Sequence, residues 1–286
     1  MTQDVLKALI LPAVIMFMMF GMGMGLAPAD FKRVFVSPKA KLVGLFCQLV
    51  CLPLLAFLIA VGLRLPGELA VGLMLVAACP GGPTSNIVTH LSRGDTALSV
   101  SLTAVSSIIT VFTIPMIVGA SIRHFIGESA SLVLPFWKTT LQLLVVTILP
   151  IALGMWANAA RPALCRRFEA PFNRISLCLL GLVVAIAVMR EQDLARQFLL
   201  VGPSAAALNL GSMLVGFGAA AFFGLAIPQR ISVSIEVGIQ NGTLALAIAL
   251  GMLDSARFAM PAVVYGLLMF ASGGMMILIF GRRPRG

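Results

Sequence analysis

Cys79-Pro-Gly-Gly-Pro-Thr-Ser-Asn86 interrupts a stretch, residues 69–91, that otherwise reads as a membrane-spanning helix. A second interruption, Glu236-Val-Gly-Ile-Gln-Asn-Gly242, breaks the apolar run 231–253. Hydrocarbon offers no hydrogen-bond partner to a free peptide group, so irregular backbone at membrane depth is tolerated only where protein encloses it or where it lines a site. Two such breaks, one in each half of the chain, mark the place where a site is built.

The rest of the composition agrees with a membrane chain. Of 286 residues, 60% are hydrophobic and 10% charged, and mean hydropathy is +1.06. A soluble domain carries about 25% charged residues. A crossing helix needs about 20 apolar residues to span roughly 30 Å of hydrocarbon. Nine apolar runs occur, near 5–26, 42–63, 69–91, 97–122, 133–156, 175–189, 199–226, 231–253 and 259–280. They fill the length as one transmembrane domain, 1–286, and leave no room for a soluble one. The run 5–26 is too long for a signal-peptide core and reads as a retained first helix. Five cysteines, Cys47, Cys51, Cys79, Cys165 and Cys178, show no metal-ligand spacing and read as small packing residues.

The net charge of +10 forms no continuous basic face that would fit nucleic acid; topology accounts for it. Nine crossings separate the termini, and the tail Gly281-Arg-Arg-Pro-Arg-Gly286 places the C-terminus in the cytoplasm and the N-terminus outside. That choice puts 13 of the 20 Lys and Arg residues inside and 7 outside, in keeping with the positive-inside rule. Trp137 and Trp156 bracket the fifth run, about 28 Å apart along a helix, and read as interface anchors. The expected location is the inner (plasma) membrane, with lipid as the surrounding partner and no protein partner evident. The loop Ala157–Asn173, after the fifth run, divides the crossings into a first and a second group. An inverted repeat whose first group has lost one initial helix, giving four crossings plus five, is the expected relation, with Ser85-Asn86 answering Gln240-Asn241.

Of ten acidic residues, only Glu236 lies deep within a crossing. An ionisable group there costs a few kcal/mol to insert, so its first reading is functional. A carboxylate among amide oxygens, hydroxyls and unwound carbonyls suits a small hard cation. Such oxygens stand at Gln48 on the second crossing, Ser85 and Asn86 at the first break, and Gln240 and Asn241 at the second. Ser99, Thr103, Ser106 and Ser107 share one face of the fourth crossing, although such a stripe also serves simply to bond neighbouring carbonyls. Beyond each break a half-helix restarts, near Thr84 and near Asn241, Gly242 and Thr243. Its free N–H groups and positive dipole end would attract an anion. The residues thus predict cation-coupled movement of an organic anion. A proton-coupled or uncoupled exporter, with Glu236 as proton carrier, is the alternative. An enzyme is not expected: no His-Glu-x-x-His motif and no Ser/His pairing occur.

With Phe20-Gly-Met-Gly23, Pro28-Ala-Asp-Phe31, Cys79–Asn86, Arg93-Gly-Asp-Thr-Ala-Leu-Ser99 and Glu236–Asn241, the chain resembles the bile acid:sodium symporter family essentially end to end. The resemblance implies an all-α polytopic fold of nine helices. The third and eighth would be broken and would cross within a core (42–122 and 199–280), against which a panel (5–26, 133–156 and 175–189) moves. It implies two Na+ sites sharing one glutamate: Ser85, Asn86, Ser99, Thr103 and Glu236 in one, and Gln48, Glu236, Gln240 and the carbonyls of Val237 and Ile239 in the other. The chain starts where the second helix of ten-helix bacterial relatives begins and resembles the nine-helix vertebrate arrangement. Pro83 replaces a hydroxyl residue and Phe270 an amide found in some relatives near the substrate. A small carboxylate of the pantoate or keto-acid kind therefore stands beside bile acid as the expected substrate.

Overall fold

The computed structural model describes residues 11–27, 38–127, 135–165, 194–253 and 255–281, with isolated positions between 167 and 182. Its regular elements are helices: α1 (Leu11–Met24), α2 (Pro38–Gly62), α3 (Gly67–Ala78), α4 (Pro83–Leu91), α5 (Thr96–Phe125), α6 (Phe136–Ala160), α7 (Leu194–Phe222), α8 (Ile227–Gly238), α9 (Gly242–Gly251) and α10 (Ala256–Phe280). Five of them, α2, α5, α6, α7 and α10, are long and apolar enough to cross a membrane. The expected breaks fall between α3 and α4 and between α8 and α9. Apart from positions 175, 178 and 182, the expected crossing at 175–189 lies outside the described residues, as do positions 5–10 and Pro28–Phe31 of the quoted motifs.

Proline sets the local shape of two crossings. Its ring has no N–H and collides with the carbonyl four residues back. In α2, Pro53 follows a widened π turn, Cys47–Cys51; in α6, Pro150 follows another, Leu144–Ile148. Each turn contains the carbonyl that the ring would meet, Leu49 or Val146, and the extra residue moves it aside. The turns between helices are fixed by equally local chemistry. Arg64 and Arg93 take left-handed backbone angles (φ 50° and 57°) where α2 and α4 end. The Asp95 carboxylate accepts from Leu98 N at 3.0 Å and so caps α5.

Burial is concentrated on the broken helices. Leu69 through Ala78 of α3 and Ile231 through Gly238 of α8 are buried without a gap, as are Leu244 through Ala249 of α9. A helix that is buried all round belongs at the centre. The long helices instead present Leu54, Leu58, Phe112, Met116, Leu214 and Leu267 outward, where lipid is as apolar as they are. Trp137 and Trp156, 75% and 72% exposed, sit near the two ends of α6. One large apolar cluster ties α2, α3, α5 and α7–α10 together. A smaller one joins Ile15, Met19 and Met22 of α1 to Ile151 of α6, Ala104 of α5 and Ala247 of α9. α1 and α6 approach so closely that a Cβ on Gly154 would lie 2.8 Å from the carbonyl carbon of Gly23.

The two breaks meet. Gly81 and Gln240 form an isolated antiparallel bridge, and Asn241 N donates to Pro80 O at 2.9 Å. Two helix C-termini, α3 and α8, and two N-termini, α4 and α9, therefore converge on one point. There, backbone groups that lost their helical partners bond across from one break to the other.

Candidate functional site

Each break places a different chemistry at this junction. In the first, glycine and proline end α3 and restart α4 at Pro83, a position that needs no N–H donor. The first turn of α4 then presents Ser85 and Asn86 to α5 and α8. In the second, α8 carries Glu236 almost to its C-terminus. Its carboxylate is the only buried acidic side chain among the described residues, 1% exposed.

Three hydroxyls surround that carboxylate. Ser85 Oγ and Ser99 Oγ each lie 2.8 Å from Glu236 Oε2, and Thr103 Oγ1 donates to Oε1. Each hydroxyl also faces a second acceptor: Gly82 O for Ser85 at 2.7 Å, Asn86 Oδ1 for Ser99 at 2.9 Å, and Ser99 O for Thr103 at 3.1 Å. A hydroxyl has one proton to give. Three hydroxyl protons thus face six acceptor contacts, an oxygen-rich cluster around one carboxyl group. That donor set matches a small monovalent cation, which accepts lone pairs from neutral and charged oxygens alike. The five residues expected together in one set, Ser85, Asn86, Ser99, Thr103 and Glu236, are brought together here.

Gly81 makes the close approach possible. A Cβ at that position would collide with Glu236, its carboxyl carbon 2.7 Å away. The glycine is required by its neighbour, since the backbone of the first break passes directly against the acid of the second.

Gln48, Gln240 and the Val237 carbonyl of the second expected set form a hydrogen-bonded network, which does not include the Ile239 carbonyl. Gln48, within the π turn of α2, donates through Nε2 to Cys79 O at 2.9 Å and to Gln240 Oε1 at 2.8 Å. Gln240 Nε2 donates to Val237 O at 2.7 Å and returns a longer bond of 3.3 Å to Gln48 Oε1. Ile239 lies in the extended segment between them. Glu236 meets this set through its main-chain carbonyl, 3.4 Å from Gln240 Nε2, while its carboxylate is engaged with the first set.

Of the positions expected to face an anion, Asn241 is the most telling. Its side-chain oxygen accepts from Leu244 N at 3.0 Å and caps α9. Its Nδ2, on a side chain 5% exposed, is buried with no partner. A buried, unspent donor beside a helix N-terminus is poised for an acceptor. Gly242 is buried, and Thr84 and Thr243 are half-buried in the first turns of α4 and α9. Pro83 opens α4, whereas Phe270 is exposed on α10.

Three contributors are additions to the residues read from sequence. Thr89 Oγ1 donates to Ser99 Oγ at 3.4 Å. Asn209 Nδ2 and Tyr265 OH both donate to Gly238 O at 2.8 Å, holding the last carbonyl of α8 beside the break. The sequence carries a signal for these two: Tyr265 is the only tyrosine in the chain, and Asn209 is a lone amide in an apolar run. Ser106 and Ser107, by contrast, both donate to Thr103 O, within their own helix.

Comparison with known proteins adds an independent line. The model of the sodium bile acid symporter family matches residues 12–197. The uncharacterized sodium-dependent transporter YocS of Bacillus subtilis is 29% identical over 268 residues, covering 93% of this chain and 81% of that one. The probable sodium/metabolite cotransporter BASS1 of Arabidopsis thaliana, a chloroplastic protein, is 30% identical over 268 residues, covering 92% of this chain and 65% of its own length. Sodium/bile acid cotransporter 4 of Rattus norvegicus is 30% identical over 272 residues, with 92% and 61% covered. The chain thus spans less than two thirds of these plant and rat relatives. All three names describe transporters, not enzymes.

Proposed function

The chain belongs to the sodium bile acid symporter family, and from that premise we propose that it is a secondary active transporter coupling Na+ entry to uptake of a small organic anion. The observation that carries the reading is the ring of oxygens around Glu236. A single buried carboxylate with three hydroxyls and an amide oxygen has the charge and the lone pairs for Na+, and the three elements that supply them meet only while both breaks are docked. One ion would sit among Ser85, Asn86, Ser99, Thr103 and Glu236. A second would be held by Gln48, Gln240, Glu236 and the carbonyls of Val237 and Ile239 once the amide network opens.

The anion would lie against the N-termini of α4 and α9, at Thr84, Asn241, Gly242 and Thr243. These ends carry partial positive charge, and Asn241 Nδ2 supplies a donor that nothing else uses. Cations and anion would therefore bind to opposite sides of the same two backbone breaks. Ions that neutralise Glu236 favour the docked arrangement, and docking aligns the anion-facing ends; coupling follows from this shared backbone.

The proposed architecture has nine crossings in an inverted repeat, with the C-terminus on the cytoplasmic side of the plasma membrane and the N-terminus outside. The antiparallel bridge between the breaks supports it, because two segments related by inversion meet in that sense. A panel of α1, α6 and the crossing near 175–189 would rock against a core of the other helices. In proteoliposomes, uptake of the anion should require an inward Na+ gradient and stop when K+ replaces Na+. Uptake driven by a pH gradient alone, indifferent to Na+, would instead establish the proton-coupled alternative.

A further inference from the structure

The carbonyl of Gly238 spends both of its lone pairs on side chains from outside its own helix. Asn209 Nδ2 of α7 and Tyr265 OH of α10 each donate to it at 2.8 Å. The N–H of the same peptide unit belongs to Ile239 and donates to Ile235 O, also at 2.8 Å. One peptide plane, between Gly238 and Ile239, is thus pinned at both ends by three hydrogen bonds. Asn209 and Tyr265 are both buried, and the Asn209 and Ser212 side chains bond the Tyr265 hydroxyl in turn.

The packing of α8 explains why such a restraint is needed. A Cβ on residue 238 would collide with Met213 Cγ of α7, so the contact between the two helices requires glycine there. Glycine restrains its own backbone least of all residues, and the last carbonyls of a helix have no partner within it. A glycine peptide at a helix end is therefore the unit most free to turn over. Here the two side-chain donors remove that freedom from outside the helix.

Val237 O and Ile239 O, the main-chain ligands proposed for the second ion, belong to the peptide units on either side of the pinned one. Their directions follow from that plane through the backbone angles of Gly238 and Ile239 alone, and Ile239 is extended (φ −110°, ψ 102°). We propose that Asn209 and Tyr265 are positioning residues for the second Na+. They fix the Gly238–Ile239 peptide, and with it the two flanking carbonyls, without touching the ion. The proposal rests on the reading of Gln48, Gln240, Val237 and Ile239 as an ion site and adds the residues that set its geometry.

The test measures equilibrium binding of radiolabelled Na+ to the purified full chain, with the melting temperature in Na+-free buffer recorded beside it. Tyr265→Phe and Asn209→Leu each leave one donor on Gly238 O, and each should raise the half-saturation of one ion about threefold. The double variant frees the carbonyl and should raise it at least about 30-fold, more than the two losses multiplied, with the other ion unaffected. Ser234→Ala is the control for stability alone. Ser234 Oγ donates to Met213 O at 2.8 Å and ties α8 to α7 one turn before Gly238, so its loss should lower the melting temperature and leave Na+ binding within about twofold of wild type. A double variant that binds both ions like wild type overturns the proposal. So does a loss of Na+ affinity that simply follows melting temperature across all four variants. Should the double variant not fold, the single variants decide by the same comparison with Ser234→Ala. Gln240→Ala tests the site itself and should abolish the second ion. If it does so while the double variant has no effect, the positioning role falls and the site stands; if neither changes Na+ binding, both fall.

Discussion

The two breaks occupy matching places and divide the chemistry unequally. The first, Cys79–Gly82, contributes room and neutral oxygens: Gly81 yields space to the Glu236 carboxylate, and Ser85 follows in the restarted helix. The second, around Ile239–Asn241, contributes the charge and the amides, with Glu236 before it, Gln240 in it and Asn241 capping the next half-helix. A site whose charge comes from one side and whose enclosure comes from the other exists only while the two are docked. This asymmetry makes the junction suitable for coupling: separating the breaks would leave a bare carboxylate in an apolar core, which is costly without a counter-charge.

The largest effect should follow from removing the charge. Glu236→Gln keeps the shape while discarding the anion; one accepting oxygen becomes an amide donor, whose hydrogens the facing hydroxyl oxygens can accept by turning their own protons to their second acceptors. We expect Na+-driven uptake to fall at least about 100-fold, the size of a coupling energy near 3 kcal/mol, and the thermal shift produced by Na+ to vanish. In Na+-free buffer the same variant should melt no lower than wild type, because a buried, uncompensated carboxylate has been removed. A variant that still answers to Na+ would show that the charge is not where the two breaks divide their work.

Next comes the enclosure. Gly81→Ala puts a methyl group against the Glu236 carboxyl carbon, and neither can withdraw easily, since Gly81 is paired with Gln240 and Glu236 is held by three hydroxyls. Overpacking of this kind costs about 1–3 kcal/mol, so Na+ affinity should drop roughly 10- to 100-fold. Gly82→Ala is the control. A Cβ there would meet Asn241 Cα at 3.6 Å, an ordinary contact, and Na+ affinity should change by less than about threefold. Equal losses in both variants would mean that the break tolerates no side chain anywhere and that Gly81 has no special relation to the acid.

Much of this was legible before any coordinates. Glycine, proline and amides inside apolar runs marked both breaks because lipid excludes them, and Glu236 stood out as the one acid far from a membrane surface. The described helices begin and end within a few residues of the apolar runs. What stayed hidden depended on direction and distance. Ser99, Thr103, Ser106 and Ser107 share a face by arithmetic, yet only the first two reach Glu236; the others turn back to the Thr103 carbonyl, the nearest acceptor once the helix has passed the junction. The π turns before Pro53 and Pro150 appear only in the backbone, since periodicity alone treats both helices as regular. Asn209 and Tyr265 converge on Gly238 O from helices 29 and 27 residues away, a meeting no local pattern announces.

The smallest effect separates the two restarted half-helices. α9 is capped by the side chain of Asn241, whereas α4 begins after Gly82 with no side-chain cap. Asn241→Ala removes both the cap and the free donor, and should cost about 1 kcal/mol of stability together with anion affinity. Asn241→Asp preserves the capping oxygen and replaces only the Nδ2 donor, so stability should stay within about 0.5 kcal/mol of wild type. The added charge sits where a carboxylate would bind, so the substrate KM should still rise, by roughly tenfold or more, with half-saturation by Na+ unchanged. Thr84→Ala at the other restart should leave stability unaltered, there being no cap to lose. A KM that follows stability across Asn241→Ala and Asn241→Asp would reduce Asn241 to a cap, leaving the anion no side-chain donor from that residue at the second break.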